Sequence, residues 1–142
     1  MIFRPTDEKP SSCSQKLTRN QRLVLEAIEQ ATRPIGAYDI LKKLHSLGLR
    51  SPIQVYRATE KLIAYGTIHR VEKLNAFVPC SHLHPQGRHL TVLAVCDCCG
   101  KVMELHDGAM EKEINQLAGR ANLTVTDSTL EVNVLCADCA GR

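Results

Sequence analysis

The sequence predicts an α+β protein in which an N-terminal winged helix-turn-helix domain is followed by a small α+β domain. Three observations predict this fold class. Three stretches with helical spacing precede two short strands, the pattern then changes to strands around a cysteine-rich turn, and the formal charge changes sign between the two halves. The predicted organisation is a flexible tail over 1–16, the winged helix over 17–80, a linker over 81–89 and the second domain over 90–142.

The first two predicted helices follow from capping residues and apolar spacing. Thr18, with Gln21 three residues later, forms the capping-box pattern that begins a helix. The second helix starts after the Arg33-Pro34 break and stops at Gly48, since glycine is common directly after a helix. Its predicted apolar face consists of Ile40, Leu41, Leu44 and Leu47.

The third predicted helix has the strongest start signal, with Ser51 as N-cap, Pro52 at the first helical position and Gln54 at the box position. Its predicted apolar face consists of Val55, Ala58, Thr59, Leu62 and Ile63. The side chains of Gln54, Arg57 and Lys61 then project from the other side at three- and four-residue spacing. A helix with such a polar face can enter the major groove of DNA.

The rest of the chain predicts short strands and one further helix. The stretch "TIHRVEKLNAFVPC" predicts two strands around a Lys73-Leu74-Asn75 turn, which form the wing. The second domain is predicted to contain a strand near 90–96, a strand at 101–105, a helix near 108–121 and a strand within 123–135. The predicted apolar face of that helix consists of Met110, Ile114, Leu117 and Ala121.

Composition and charge narrow the class of protein. Residues 1–75 contain 13 Lys/Arg against 7 Asp/Glu, whereas residues 76–142 contain 5 against 8. A basic half of this kind favours a polyanionic partner such as DNA, with a protein-binding winged helix as the alternative. No apolar run approaches the roughly 20 residues of a membrane span, and the start of the chain does not look like a signal peptide. We therefore expect a cytoplasmic protein without a membrane partner.

The strongest chemical motif is a pair of C-x-x-C sequences, Cys96 with Cys99 and Cys136 with Cys139, separated by 36 residues. Four thiolates in two such pairs supply a closed tetrahedral set for a structural Zn²⁺. The alternative is a dithiol redox pair. Cys98 occupies an intervening position, where a side chain normally points away from the metal, and is expected to be a free thiol.

A looser group of potential metal ligands lies around the predicted domain junction. One thiolate with two imidazoles and a carboxylate is a mixed set that suits Zn²⁺ better than Mg²⁺ or Ca²⁺. Each residue taken alone is more often a solvated side chain. The group consists of His69, Cys80, His82, His84, His89, Glu104 and His106.

The sequence does not indicate an enzyme. It lacks the H-E-x-x-H and G-x-S-x-G motifs and a phosphate-binding glycine loop. We therefore expect neither catalysis nor a small-molecule substrate.

Four stretches of the sequence resemble the ferric uptake regulator (Fur) family, across roughly residues 17–140. They are "TRNQRLVLEAI", "VYRATEKLIAYG", "CDCCGKVMEL" and the terminal "CADC". The stretches "HRVEKLNAFVPC", "RHLTVLAVC" and "KVMEL" are similar to the zinc-uptake branch of that family. The resemblance implies a homodimeric, zinc-responsive repressor of zinc uptake genes that binds a pseudo-palindromic DNA operator, with a dimerising second domain.

The resemblance also implies particular site residues. Two Zn²⁺ per subunit are expected, a structural ion on the four cysteines named above and a regulatory ion on His69, Cys80, His89 and Glu104. His82, His84 or His106 remains open as a substitute ligand. Tyr38 is implied as a DNA contact beside Gln54, Arg57 and Lys61, with core packing as its alternative. The alternative functions are an iron or peroxide regulator of the same family, or a thiol redox switch.

Overall fold

The computed structural model describes residues 16–81 and 90–141, which fall into two compact units. The first unit contains three α-helices, one 3-10 turn and a two-stranded ribbon. The second contains a three-stranded sheet and two helices. This is the α+β architecture that the sequence predicts. Most of the predicted tail and linker lies outside the described residues.

Helix α1 spans Arg19–Glu29 and begins with the predicted capping box. The backbone N–H of Gln21 donates to Thr18 Oγ1 at 3.3 Å, and the N–H of Thr18 donates to Gln21 Oε1 at 3.0 Å. These two bonds satisfy backbone donors that the first turn leaves unpaired. The buried side of α1 consists of Val24, Ala27 and Ile28.

Helix α2 spans Ala37–Leu44 and tightens into a 3-10 turn over His45–Leu47 before Gly48, whose φ is 105°. The placement of Leu47 on the buried face is wrong, because 45% of its surface is exposed. A 3-10 turn advances about 120° per residue instead of 100°, so it rotates Leu47 away from the α-helical stripe. Leu49 is buried instead.

Helix α3 spans Pro52–Ala64. The prediction of its buried side is confirmed for Val55, Ala58, Thr59 and Leu62. It is wrong for Ile63, which lies at the edge of the apolar stripe and is 37% exposed.

The wing consists of the antiparallel strands β1, Ile68–Val71, and β2, Ala76–Pro79. The turn between them falls at the predicted residues, and Asn75 adopts a positive φ of 46°. Ile35 and Phe77 exchange two backbone hydrogen bonds, of 3.1 and 2.9 Å, which join the wing to the segment before α2. One hydrophobic core lies beneath all three helices and the ribbon. It consists of aliphatic side chains and Phe77.

The second unit contains strands β3, Thr91–Cys96, β4, Val102–Leu105, and β5, Thr129–Val134. Helix α4, Gly108–Arg120, lies between β4 and β5 in the chain, and helix α5, Ala137–Ala140, follows β5. Strand β3 is central, antiparallel to β4 and parallel to β5. The bounds of the strands and of α4 match the sequence prediction, but no residue of α4 is buried in the single subunit, and Met110 and Leu117 of its predicted apolar face are exposed. The short α5 was not predicted.

Candidate metal centres and nucleic-acid interface

The sheet of the second unit brings the two C-x-x-C motifs together. Cys96 is the last residue of β3 and pairs with Val134, the last residue of β5. Because the two strands are parallel and in register, their carboxyl ends lie at the same sheet edge. Cys136 lies two residues beyond the end of β5, as the N-cap of α5, and Cys139 lies one helical turn later in α5. Thus 36 intervening residues do not prevent the motifs from meeting.

The four sulfurs form a compact cluster. The Sγ atoms of Cys96, Cys99, Cys136 and Cys139 all lie within 4.8 Å of one another. Cys99 Sγ and Cys136 Sγ are 3.7 Å apart. A tetrahedral Zn²⁺ with Zn–S bonds of about 2.3 Å holds its sulfurs about 3.8 Å apart. The cluster therefore has the dimensions of a four-thiolate zinc site.

The thiols in this cluster differ in acidity. The backbone N–H of Cys136 points at Cys96 Sγ at 3.4 Å, and this bond, together with donors from Cys99 and Cys98, lowers the pKa of Cys96 to about 6. The adjacent Cys136 thiol, with a further contribution from Cys98, raises the pKa of Cys139 above its usual range. Several thiolates this close would repel one another, and a bound dication such as Zn²⁺ would offset that repulsion.

Cys98 is exposed and is not one of the four sulfurs within 4.8 Å. This position agrees with the prediction that Cys98 is a free thiol and not one of the zinc ligands. The prediction of its neighbours as zinc ligands stays a prediction, supported by the distances above.

Two of the predicted regulatory ligands lie together on the wing. His69 is in β1 and pairs with Val78, and Cys80 directly follows β2. Opposite residues of antiparallel strands share a face, as do residues two apart on one strand, so His69 and Cys80 share one face of the ribbon. A ring nitrogen of His69 lies within 4.8 Å of Cys80 Sγ. The backbone N–H of Cys80 donates to Thr67 O at 2.9 Å and continues the strand pairing.

The remaining predicted ligands divide between the second unit and the undescribed residues. Glu104 lies in β4, and its Oε1 is 2.8 Å from His106 Nε2. His106, expected only as a substitute ligand, directly follows the end of β4. Two-residue alternation along an extended chain places its side chain on the same face as that of Glu104. His82, His84 and His89 lie outside the described residues.

The predicted DNA contacts occupy the helical part of the first unit. Tyr38 lies in the first turn of α2 with 68% of its surface exposed, which contradicts core packing as its role. Arg57 and Lys61 are exposed on α3, whereas Gln54 is partly buried. A surface depression of about 430 Å³ lies between α1 and α3. It is lined by Thr18, Asn20, Gln21, Gln54, Arg57, Ala58, Glu60 and Lys61.

Gln54 serves the helix start as well as the predicted interface. Its Oε1 accepts the backbone N–H of Arg50 at 2.8 Å and that of Ser51 at 3.1 Å. The side chain therefore has only its amide donors left for DNA. Bidentate recognition of adenine needs a carboxamide to donate and accept at once. In this rotamer Gln54 cannot do so.

None of the helices in the described residues is long and apolar enough to span a bilayer.

Comparisons with known proteins place the chain among metal-uptake regulators. No family model matches it. A zinc uptake regulation protein of Escherichia coli K12 is 34% identical over 131 residues, covering 89% of this chain and 76% of that protein. A ferric uptake regulation protein of Vibrio parahaemolyticus is 30% identical over 127 residues, covering 87% and 82%.

A solved structure, a zinc uptake regulator complexed with zinc and DNA, is similar to this one with a TM-score of 0.79. It is 32% identical, and the match covers 89% of this chain and 84% of that one. The matches to these regulators cover 87–89% of the chain, which contains both the winged helix and the four-cysteine cluster. The chain belongs to the ferric uptake regulator family, in the branch of the zinc uptake regulators.

Proposed function

We propose that this protein is a zinc-responsive repressor that binds double-stranded DNA and turns off zinc uptake genes when zinc is plentiful. The observation that carries this proposal is the likeness, over 89% of the chain, to a regulator whose structure contains both zinc and DNA. The exposed Tyr38, Arg57 and Lys61 of the first unit supply the DNA-facing groups. Arg can donate two parallel hydrogen bonds to guanine in the major groove.

Two zinc ions per subunit have different roles in this proposal. The first binds Cys96, Cys99, Cys136 and Cys139, and it stabilises the second unit because it joins the ends of β3 and β5. The second binds His69, Cys80, His89 and Glu104. The distance of at most 4.8 Å between the His69 ring and Cys80 Sγ supports the wing half of this set.

The regulatory ion acts through its ligands in both units. A metal that recruits residues from two units restrains them, and it favours DNA binding if the restrained state is the one that fits the operator. DNA must then increase zinc affinity by the same factor, since the coupling is reciprocal. The single thiolate of Cys80 favours zinc over iron, because thiolates are soft ligands.

The repressor acts as a homodimer in this proposal. The second unit leaves large apolar side chains exposed that an isolated subunit would present to water. A two-fold dimer also presents two recognition helices to half-sites about 34 Å apart, which a pseudo-palindromic operator supplies. The exposed apolar residues are Leu105, Met110, Leu117, Leu123, Leu130, Val132 and Leu135.

The proposal is tested by zinc-titrated binding to a duplex selected from a randomised library, with zinc content measured in parallel. Wild type should bind tightly only when the second zinc is present, and Cys80→Ser and His89→Ala should need far more zinc. If wild type binds equally well with the second zinc chelated away, the sensor role fails. Unchanged metal response of Cys80→Ser favours an iron or peroxide sensor. Release of DNA by thiol oxidation, with the second zinc still bound, favours a redox switch.

A further inference from the structure

Ile53 is a large apolar side chain in an exposed position on α3. It lies in the first turn of α3 with 59% of its surface exposed. Residues of an α-helix are about 100° apart, so Ile53 points away from the side formed by Val55, Ala58 and Leu62. Arg57, one turn later, lies on the same exposed side.

The groups around Ile53 match a DNA surface rather than a protein surface. Arg57 and Lys61 carry positive charge along the exposed part of the helix, beside one exposed carboxylate, Glu60. The carboxamide oxygen of Gln54 is already bonded to the backbone at 2.8 and 3.1 Å. The start of α3 therefore offers hydrogen-bond donors and one branched apolar side chain.

We propose that Ile53 recognises the C5-methyl group of a thymine in the major groove. Thymine is the base that presents a methyl group there, whereas cytosine presents an amino donor that an isoleucine cannot satisfy. Four residues of helix rise by about 6 Å, and base pairs stack about 3.4 Å apart. The thymine should thus lie within about two base pairs of the base that Arg57 contacts. This inference rests on the proposed DNA-binding function.

The test compares thymine with uracil, which lacks only the methyl group. The probe is the duplex selected from a randomised library by the zinc-loaded wild-type protein, with each thymine replaced in turn by uracil. Affinities are measured by fluorescence anisotropy for wild type, Ile53→Ala and Ile63→Ala. The second variant is a matched control, because Ile63 is an exposed isoleucine on the flank of the same helix.

One thymine per half-site should show the expected coupling. Replacing it with uracil should decrease the affinity of wild type for the duplex about fourfold, which is the effect of removing one buried methyl group. The same replacement should not change the affinity of Ile53→Ala for the duplex. It should decrease the affinity of Ile63→Ala as much as that of wild type. Equal uracil effects in wild type and Ile53→Ala would overturn the role of Ile53 while leaving DNA binding intact. If no duplex is enriched with zinc, the proposed function itself fails, and this inference fails with it.

Discussion

The backbone N–H of Cys136 lies 3.4 Å from the sulfur of Cys96, although 40 residues separate them in the chain. Parallel pairing of β3 with β5 creates this contact, and the contact lowers the pKa of the Cys96 thiol to about 6. The Cys96 thiol therefore loses its proton more readily than an ordinary cysteine. The cysteine cluster therefore depends on the pairing of β3 with β5.

Replacing Cys139 with Ser should remove the structural zinc and destabilise the second unit. Loss of one of four ligands weakens the binding of zinc, and zinc binding contributes to folding. A decrease of a few kcal/mol in the free energy of unfolding lowers the Tm by more than about 10 °C in a domain of this size. Calorimetry with parallel zinc analysis measures both effects. Cys98→Ser is the control, since Cys98 is an exposed cysteine between Cys96 and Cys99 that is not one of the four clustered sulfurs. An equal loss of zinc in the control would contradict the ligand assignment.

Zinc binding at the four-cysteine site should strengthen as pH rises. The pKa of Cys139 is raised chiefly by the neighbouring Cys136 thiol, so this residue must release its proton when the metal binds. Affinity should fall as pH decreases, more steeply below about pH 6 where Cys96 also gains a proton. Competition with a chromophoric chelator between pH 5.5 and 8.5 measures the trend. A pH-independent affinity would mean that thiolates are not the ligands.

Arg57→Ala and Lys61→Ala should weaken DNA binding in different ways. If Arg57 contacts a guanine, its loss should cost about 1–3 kcal/mol and relax specificity at one position of the operator. If Lys61 contacts a phosphate, its loss should weaken binding to all DNA sequences alike. It should also reduce the slope of log affinity against log salt concentration by about one. Binding to matched and single-mismatch duplexes at several salt concentrations separates the two. Identical behaviour of the two variants would contradict these roles.

Gln54→Ala should destabilise the first unit even without DNA. The carboxamide oxygen closes the first turn of α3, and loss of a helix cap costs about 1 kcal/mol. Gln54→Glu keeps an acceptor at the same position and adds a charge that favours a helix N-terminus, so it should be at least as stable as wild type. Urea unfolding of both variants measures the difference. Equal stability of Gln54→Ala and wild type would show that the cap is unimportant.

Elements with local signals could be predicted almost completely from the sequence. The capping box of Thr18 and Gln21 and the stop at Gly48 depend on residues within a few positions, and so does the wing turn. The prediction was wrong at Leu47 and Ile63. Periodicity assumes a uniform helix, and it cannot locate a 3-10 turn or the edge of a buried stripe.

The sequence by itself determined which residues could bind metal and DNA, because thiol chemistry, charge and helical spacing are properties of the residues themselves. Only the tertiary structure decided which of them meet. Parallel register between β3 and β5 brings Cys96 within reach of Cys136, and antiparallel register in the wing places His69 beside Cys80. The commitment of Gln54 to the helix cap also depends on a rotamer. Such contacts arise from backbone geometry, which spacing along the chain does not encode.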